Sequence, residues 1–180
     1  MPKIVSSVAR KDYPAEGIRK GQTYYSWKPY RGATQRSATY PRPSQLTNSK
    51  MKGVYEAMES MTDAVSQATS PEDIASLAGE CATACRAIAD EYRDSASNFG
   101  VAGTNAEWEA KADSIDSYCD DLEAAAAEVE ALSIDDYIDE DEAGEREVKK
   151  PTKFDELSES EKDAMLQACV TLVEEPQCDA

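Results

Sequence analysis

The side chains available for acid–base or nucleophilic chemistry are restricted in this chain. Its 180 residues include five cysteines but no histidine. Histidine is the commonest general base near neutral pH, the usual partner of a serine or cysteine nucleophile, and the commonest transition-metal ligand. Because its absence removes the Ser–His and Cys–His pairings, we expect the protein not to be an enzyme.

Three of the cysteines are spaced so that their thiols could meet. Cys81 and Cys85 lie four residues apart on one face of a predicted helix, and Cys119 falls opposite Cys85 if the chain turns near Val101. With Cys169 or an aspartate as fourth ligand, these thiols could hold zinc. The alternative is that they are small apolar core residues in a tight helix seam, which the spacing favours. We therefore expect no metal and no cofactor.

Two other motifs fail as ligand sites. A calcium loop of the EF-hand type starting at Asp139 would need an oxygen ligand at its fifth position and a glutamate at its twelfth, where this chain has Ala143 and Lys150. The segment from Gly100 to Gly103 lacks the lysine of a phosphate-binding loop. It predicts a turn between two helices.

Charge is divided unevenly along the chain. Residues 1–50 hold ten Lys and Arg against two acids, a net charge of about +8, and residues 51–180 hold nine against 34, or −25, giving −17 in all. A basic segment attached to an acidic body indicates interaction with a charged partner. The acidic body should also oppose tight non-specific binding to DNA, because it repels the phosphates.

The basic segment interleaves its cations with tyrosines and a tryptophan. Cations neutralise phosphates and release counterions, while exposed aromatic rings stack on bases. Tyr25 and Trp27 are the predicted stacking residues. Two alternatives stay open: Tyr24, Trp27 and Tyr30 could form a small β-module core, or the cations could pair with the acidic body within the chain or between copies. The predicted nucleic-acid-binding residues are Arg10, Lys11, Arg19, Lys20, Tyr25, Trp27, Lys28, Arg31 and Arg36.

The pattern of apolar residues predicts a small β-hairpin followed by helices. Two β-prone runs, 23–27 and 33–40, flank a turn near Arg31 and Gly32. From Thr47 onward, apolar residues recur at alternating spacings of three and four, which indicates amphipathic helices. The second helix should begin at Ser70-Pro71 and end at Phe99-Gly100, and the third should begin after Thr104-Asn105.

The predicted fold is mainly α. Three long helices joined by short turns indicate an antiparallel, coiled-coil-like three-helix bundle. A short C-terminal helix opens at Ser158 with a capping box, and its Met165, Leu172 and Val173 are predicted to dock in a partner's groove. The expected organisation is a basic aromatic β-hairpin arm (1–46), an acidic helical bundle (47–133), an acidic linker (134–153) and a C-terminal helix with tail (154–180).

Residues 9–47 resemble a family of small, uncharacterised proteins from phages and bacteria, which place a basic aromatic segment ahead of acidic helices. The resemblance implies a phage or mobile-element origin and carries no established activity. The segments that carry it are ARKDYP (9–14), GIRKG (17–21), YYSWK (24–28) and PRPSQLT (41–47).

The chain has no run of about 18 apolar residues and no apolar signal segment near Met1, so we expect a soluble, cytoplasmic protein with no membrane partner. The first functional hypothesis is a non-enzymatic phage-type accessory protein whose arm contacts nucleic acid and whose bundle serves as scaffold. The second is an acidic protein-binding module or inhibitor, such as a DNA mimic. The third is a virion or assembly component. Expected partners are nucleic acid and a host or phage protein, with homo-oligomers left open.

Overall fold

The helices and strands are taken from a computed structural model of the protein, which describes residues 2–29, 32–99, 102–138 and 151–178. The described chain is mainly helical and has a small antiparallel sheet near its N-terminus. Three-residue and four-residue 3-10 turns lie at Pro14–Glu16, Ile134–Tyr137 and Phe154–Glu156. The strands and helices are β1 (Val5–Val8), β2 (Thr23–Trp27), β3 (Gln35–Ser37), α1 (Pro43–Leu46), α2 (Met51–Val65), α3 (Pro71–Phe99), α4 (Ala102–Ala131) and α5 (Glu159–Glu174).

The chain forms two compact units, Met1–Glu59 and Ser60–Ala180. Counted over these units, the first carries eleven Lys and Arg against four acids, a net charge of +7, and the second carries eight against 32, or −24. The charge asymmetry of the sequence therefore follows the two units, whose boundary falls within α2.

The sheet of the first unit has three strands in the order β1-β2-β3, all antiparallel. β2 covers the first β-prone run, and β3 lies inside the second. The predicted hairpin is thus present, but β1 adds a third strand by pairing Val5 with Ser26 and Val8 with Thr23. The sequence pattern missed β1 because Val5-Ser6-Ser7-Val8 has no apolar alternation, and its edge position requires none.

Helix α3 begins and ends where its capping residues predict. The Ser70 hydroxyl accepts a hydrogen bond from the Asp73 backbone N–H at 3.1 Å, and Pro71 occupies the first helical position. Glu72 and Asp73 place negative charge at the positive end of the helix dipole. The helix ends at Phe99, immediately before Gly100, as the sequence predicts.

The core of the second unit is a seam of small residues between α3 and α4, which pack along one another. Ala82 and Ala89 on α3, one heptad apart, are fully buried, as are Ile115 and Leu122 on α4. Small side chains allow the two backbones to approach closely. The Cys119 thiol lies 3.3 Å from the carbonyl oxygen of Ala82, which is a direct result of this approach. Ile115 and Leu122 belong to the apolar pattern read from the sequence, whereas on α3 alanines form much of the seam and Ile88 of the predicted pattern is only half-buried.

Two arginines fix the antiparallel register at the edge of this seam. On α3, Arg86 pairs with Asp120, at 2.6 Å, and with Glu123. One heptad further along, Arg93 pairs with Asp116 and, at 3.4 Å, with Asp113. The neighbouring carboxylates of α4 raise the pKa of both guanidinium groups, through hydrogen bonds first and charge second. Exposed pairs of this kind contribute only about 0–1 kcal/mol each, so they specify register more than stability.

Helix α5 packs on both α3 and α4 and also contacts the turn Ile134–Tyr137. The capping box predicted at its start is present: the Ser158 hydroxyl accepts from the Glu161 N–H, and the Glu161 carboxylate accepts from the Ser158 N–H at 2.8 Å. A three-helix bundle of α2, α3 and α4 is not confirmed. The helix that covers the α3–α4 hairpin is the C-terminal one, which sequence reasoning placed in a separate segment because an acidic stretch precedes it.

The cysteines at the seam are thiols with polar neighbours. Cys81 lies 4.0 Å from the Tyr118 hydroxyl, and the Cys119 S–H donates to Ala82. A hydrogen bond with Cys85 lowers the pKa of Cys81 and raises that of Cys85, whereas burial raises the pKa of Cys119 to about 11. Over residues 2–29, 32–99, 102–138 and 151–178, no group of three His, Cys, Asp or Glu is arranged to hold a metal ion.

Among the helices of the described ranges, none combines the length and the apolar character needed to cross a bilayer.

The Cys119 thiol predicts a loss of stability in alkali. The folded protein keeps this thiol protonated up to a pH of about 11, whereas the unfolded chain ionises it near its ordinary value of 9.0. The stability that depends on keeping the Cys119 thiol protonated is therefore complete below pH 9 and is lost between about pH 9 and 11. We expect the free energy of unfolding, measured in urea across this range, to fall about 2–3 kcal/mol less in Cys119→Ala than in the native chain. Val129→Ala, which removes buried volume without a thiol, should lower stability equally at every pH, and an unchanged slope in Cys119→Ala would contradict this account.

The capping box predicts that two serines at the start of α5, Ser158 and Ser160, contribute differently to stability. Ser158→Ala removes the acceptor for the Glu161 N–H and should lower the free energy of unfolding of the second unit by about 1 kcal/mol. Ser160 is exposed inside the first turn, so Ser160→Ala should change it by less than about 0.5 kcal/mol. Urea denaturation followed by circular dichroism compares the two. Equal effects would mean that the cap is not formed.

Candidate nucleic-acid interface

Most of the predicted cations of the first unit lie on one structure, the connection between β1 and β2, here named the hairpin extension (residues 9–22). Its base is closed by backbone hydrogen bonds from Ala9 N–H to the Gln22 carbonyl at 2.9 Å and from Gly21 N–H to the Ala9 carbonyl at 2.8 Å. Further out, Tyr13 and Ile18 exchange backbone hydrogen bonds around the turn Pro14–Glu16. Gly21, with φ of +86°, permits the tight reversal at the base.

Both acids of the hairpin extension are already engaged. One Asp12 carboxylate oxygen accepts the Lys20 backbone N–H at 2.7 Å, and Glu16 lies 3.8 Å from the Arg36 guanidinium. The four cations of the extension are exposed, and none forms a salt bridge with another residue that the structure describes. The extension therefore carries a net charge of +2, with Arg10, Lys11, Arg19 and Lys20 exposed to solvent.

Strand register divides the sheet residues between two faces, because cross-strand partners share a face and successive residues alternate. Tyr24 pairs with Ser7, and Ser26 pairs with both Val5 and Arg36. These five residues share one face, here named the Tyr24 face. Its opposite, the Trp27 face, carries Tyr25 and Trp27 of β2, with Gln35 and Ser37 of β3.

Cations and aromatic rings meet on the Tyr24 face. The hairpin extension folds back so that the rings of Tyr13 and Tyr24 lie 5.7 Å apart, tilted by 46°. The Arg36 guanidinium lies 4.8 Å from the centre of the Tyr13 ring, and the Lys11 ammonium lies 5.6 Å from it. Both distances are within the range of cation–π attraction. Beside these rings lies a depression of about 500 Å³ lined by Ser7, Val8, Ala9, Arg10, Tyr13 and Tyr24.

The Trp27 face is closed where its tryptophan lies. Trp27 is only 3% exposed, and its indole N–H donates to the Gln45 carbonyl of α1 at 3.0 Å. Its neighbour on this face, Tyr25, is half-buried and makes an edge contact, 5.3 Å between ring centres, with Tyr40. Tyr40 itself is 63% exposed. Trp27 thus serves as a core residue of the first unit.

The predicted nucleic-acid residues are therefore only partly brought together. Arg10, Lys11 and Arg36 surround the depression and the Tyr13 ring, Arg19 and Lys20 lie on the same extension, and Lys28 is exposed after β2. Arg31 and Tyr30 fall outside the described residues. The two predicted stacking residues, Tyr25 and Trp27, lie on the other face of the sheet.

Sequence reasoning missed Tyr13 and Tyr24, the two rings that lie beside the cations. A signal for Tyr24 was present in the alternation of side chains along Thr23-Tyr24-Tyr25-Ser26-Trp27. Once Trp27 is known to be buried, this alternation puts Tyr24 on the opposite face of the strand. Tyr13 could not be found in this way, because the return of the hairpin extension onto the sheet is a tertiary contact. The burial of Trp27 agrees with the alternative in which aromatic residues form the core of a small β-module.

The predicted partner-binding residues of α5 lie within the second unit's own packing. Met165 and Val173 are buried, and Leu172 is half-buried. Because α5 packs on α3 and α4, burial leaves Met165 and Val173 little surface for a partner, whereas Leu172 keeps part of its surface. Most of the predicted acidic linker, residues 139–150, lies outside the described residues.

A second depression, of about 590 Å³, lies in the second unit between the start of α3, the end of α4 and Phe154. Its charged lining residues are Glu72, Glu130, Asp155 and Lys153. Three carboxylates against one ammonium make this lining repulsive to phosphate. The two depressions therefore differ in the charge of the ligand they favour.

No protein-family model matches the chain, and no curated protein or solved structure is significantly similar to it.

Burial of Trp27 predicts its spectroscopic behaviour. The chain has two tryptophans, so in the Trp108→Phe variant Trp27 is the only indole. We expect its fluorescence to be protected from acrylamide and to stay unchanged when an oligonucleotide is added, because the ring is enclosed and its N–H is bonded to Gln45. Quenching of Trp27 by an oligonucleotide without unfolding, monitored by circular dichroism, would instead place a base on this ring.

Proposed function

We propose that this protein is a non-enzymatic binding protein, a phage-type accessory protein, whose first unit contacts nucleic acid through the hairpin extension and the Tyr24 face. The observation that carries the proposal is the charge balance of the extension. Its two carboxylates are engaged by Lys20 N–H and by Arg36, while four exposed cations form no salt bridge with a described residue. The phage assignment is supported by the resemblance over residues 9–47.

Phosphate binding explains this arrangement physically. A phosphate neutralised by Lys or Arg releases condensed counterions, and the gain in entropy supplies most of the affinity at low salt. Arginine adds a planar fork that matches two phosphate oxygens and stacks on rings. Arg10 is placed both to bind a phosphate and to stack on a ring, because it is exposed and lines the depression beside Tyr13 and Tyr24.

The second unit suits the role of scaffold. Its net charge of −24 repels phosphates, so non-specific coating of nucleic acid is opposed and contact is confined to the first unit. Its core is held by the α3–α4 seam and by α5. Binding without catalysis is the function that these features support best.

A second candidate is recognition of a basic protein by the acidic second unit, as in a DNA mimic. It is favoured by exposed carboxylates such as Glu80, Asp94 and Asp121, which lie outside the Arg86 and Arg93 pairs. A partner held in this way should stay bound to the chain after nuclease treatment and should be released by salt. Loss of the same partner on nuclease treatment would assign it to the nucleic acid.

The proposal predicts the salt dependence of oligonucleotide binding. The triple variant Lys11→Gln, Arg19→Gln, Lys20→Gln removes three of the exposed cations and keeps the Lys20 backbone contact with Asp12. Each phosphate contact contributes about 0.7 to the slope of log K against log salt for a single strand, so the slope should fall in magnitude by about 2. Fluorescence anisotropy of a labelled oligonucleotide between 20 and 200 mM salt, roughly the range over which such slopes are resolved, measures it.

The matched control is Lys111→Gln, Lys153→Gln, Lys162→Gln, which removes the same charge from the second unit. It should leave the slope unchanged if contact is confined to the first unit. An equal change in both variants would assign the effect to net charge alone. Failure of the native chain to bind any oligonucleotide at low salt would overturn the proposal.

A further inference from the structure

We infer that the nucleic acid bound at this surface is single-stranded and that one of its bases stacks on Tyr24 in the depression bounded by Arg10. This inference rests on the proposed function and specifies its substrate class. Three observations carry it: the composition of the depression, the way in which the hairpin extension folds, and the charge of the second unit.

The depression joins the two features that an unpaired nucleotide requires. Tyr13 and Tyr24 offer aromatic surface, Arg10 offers positive charge at the rim, and Ser7 offers a hydroxyl able to donate or accept a hydrogen bond. Its volume of about 500 Å³ lies within the range of sites for small ligands. A base can enter such a site only when it is unpaired and unstacked, which costs less free energy in a single strand than in a duplex.

The hairpin extension is not shaped to enter the groove of a duplex. A two-stranded ribbon reads the major groove when it projects from the protein. Here the extension is folded onto the Tyr24 face, with Ile18 buried, Tyr13 against Tyr24, and Glu16 paired with Arg36 of β3. Two of its cations, Arg10 and Lys11, therefore lie beside the tyrosine pair, where they suit the phosphates that flank a stacked base.

The acidic second unit adds a general preference against duplex DNA. A duplex carries one negative charge per about 1.7 Å of its axis, a higher density than that of a single strand. Repulsion from a unit of charge −24 within the same chain therefore weakens binding of a duplex more than binding of a short, flexible single strand.

The experiment compares two adjacent tyrosines of β2 on opposite faces. Binding of a 12-nucleotide single strand, about the footprint of one small binding unit, is measured by anisotropy for the native full chain, Tyr24→Leu and Tyr25→Leu, using DNA and RNA versions. Tyr24→Leu should weaken binding about 5- to 100-fold, as expected for loss of one base stack. Tyr25→Leu, on the Trp27 face, should weaken it less than about 2-fold. Tyr24→Phe keeps the ring and should bind like the native chain.

An abasic version of the same strand separates stacking from phosphate contact. It keeps the phosphates and removes the bases, so it should bind the native chain more weakly, by about the same factor, and should not distinguish Tyr24→Leu from the native chain. Circular dichroism confirms that each variant is folded. If Tyr24→Leu is not, the comparison of the normal and abasic strands on the native chain, which needs no variant, provides the test of stacking. The DNA and RNA versions report which sugar is preferred.

The outcomes separate this inference from the function on which it rests. The native chain is also titrated with a duplex of the same sequence. Binding of this duplex as tight as that of the single strand overturns the single-strand inference while binding itself stands, and so does a loss in Tyr25→Leu as large as that in Tyr24→Leu. A Tyr24→Leu variant that weakens the abasic strand as much as the normal one overturns it too. Absence of binding to every oligonucleotide at low salt overturns the proposed function instead.

Discussion

Burial of Trp27, fixed by the hydrogen bond from its indole N–H to the Gln45 carbonyl, decides which face of the small sheet is closed. A strand presents successive side chains to opposite faces, so once Trp27 is inside, Tyr24 must lie on the other face with Ser26 and Arg36. A register shift by one residue would exchange the two faces. The cationic surface of the first unit therefore depends on a single core contact.

In both units, the hydrogen bonds and ion pairs of the fold engage some charged side chains and leave others exposed. In the first unit the acids of the hairpin extension are used to hold its shape, through Asp12 and Glu16, so its cations are left to solvent. In the second unit the reverse holds, because Arg86 and Arg93 are used to fix the register of α3 and α4 and a large excess of carboxylates remains. In each unit, the named groups of the rarer charge hold structure, and most groups of the commoner charge are left exposed.

The helices were predictable to the extent that local signals determine them. Ser70-Pro71 and the Ser158 capping box set the starts of α3 and α5, because such signals act over three or four residues. The apolar pattern located most of the α4 side of the seam, but on α3 it included the half-buried Ile88 and left out the buried alanines. Which helix covers the seam was not predictable. That choice depends on long-range packing, and α2 and α5 are both amphipathic enough to do it.

The candidate site was predictable in composition but only partly in geometry. The interleaving of cations with rings identified the segment, and Arg10, Lys11 and Arg36 do lie together. The stacking rings could be assigned only by knowing which aromatic residue is buried. Trp27 is the strongest candidate by residue type, but it is the residue that the core buries. Tyr13 belongs to the site only because the hairpin extension folds back onto the sheet and brings its ring against Tyr24.

Nuclear magnetic resonance of the full chain, titrated with a short single-stranded oligonucleotide, shows which face of the sheet the strand contacts. We expect the backbone amide signals of Ser7, Tyr13, Tyr24 and Arg36 to move with increasing oligonucleotide. The indole N–H signal of Trp27, held by the Gln45 carbonyl, should stay in place. Movement of the Trp27 indole and of Tyr25, with the Tyr24 face unaffected, would contradict this expectation.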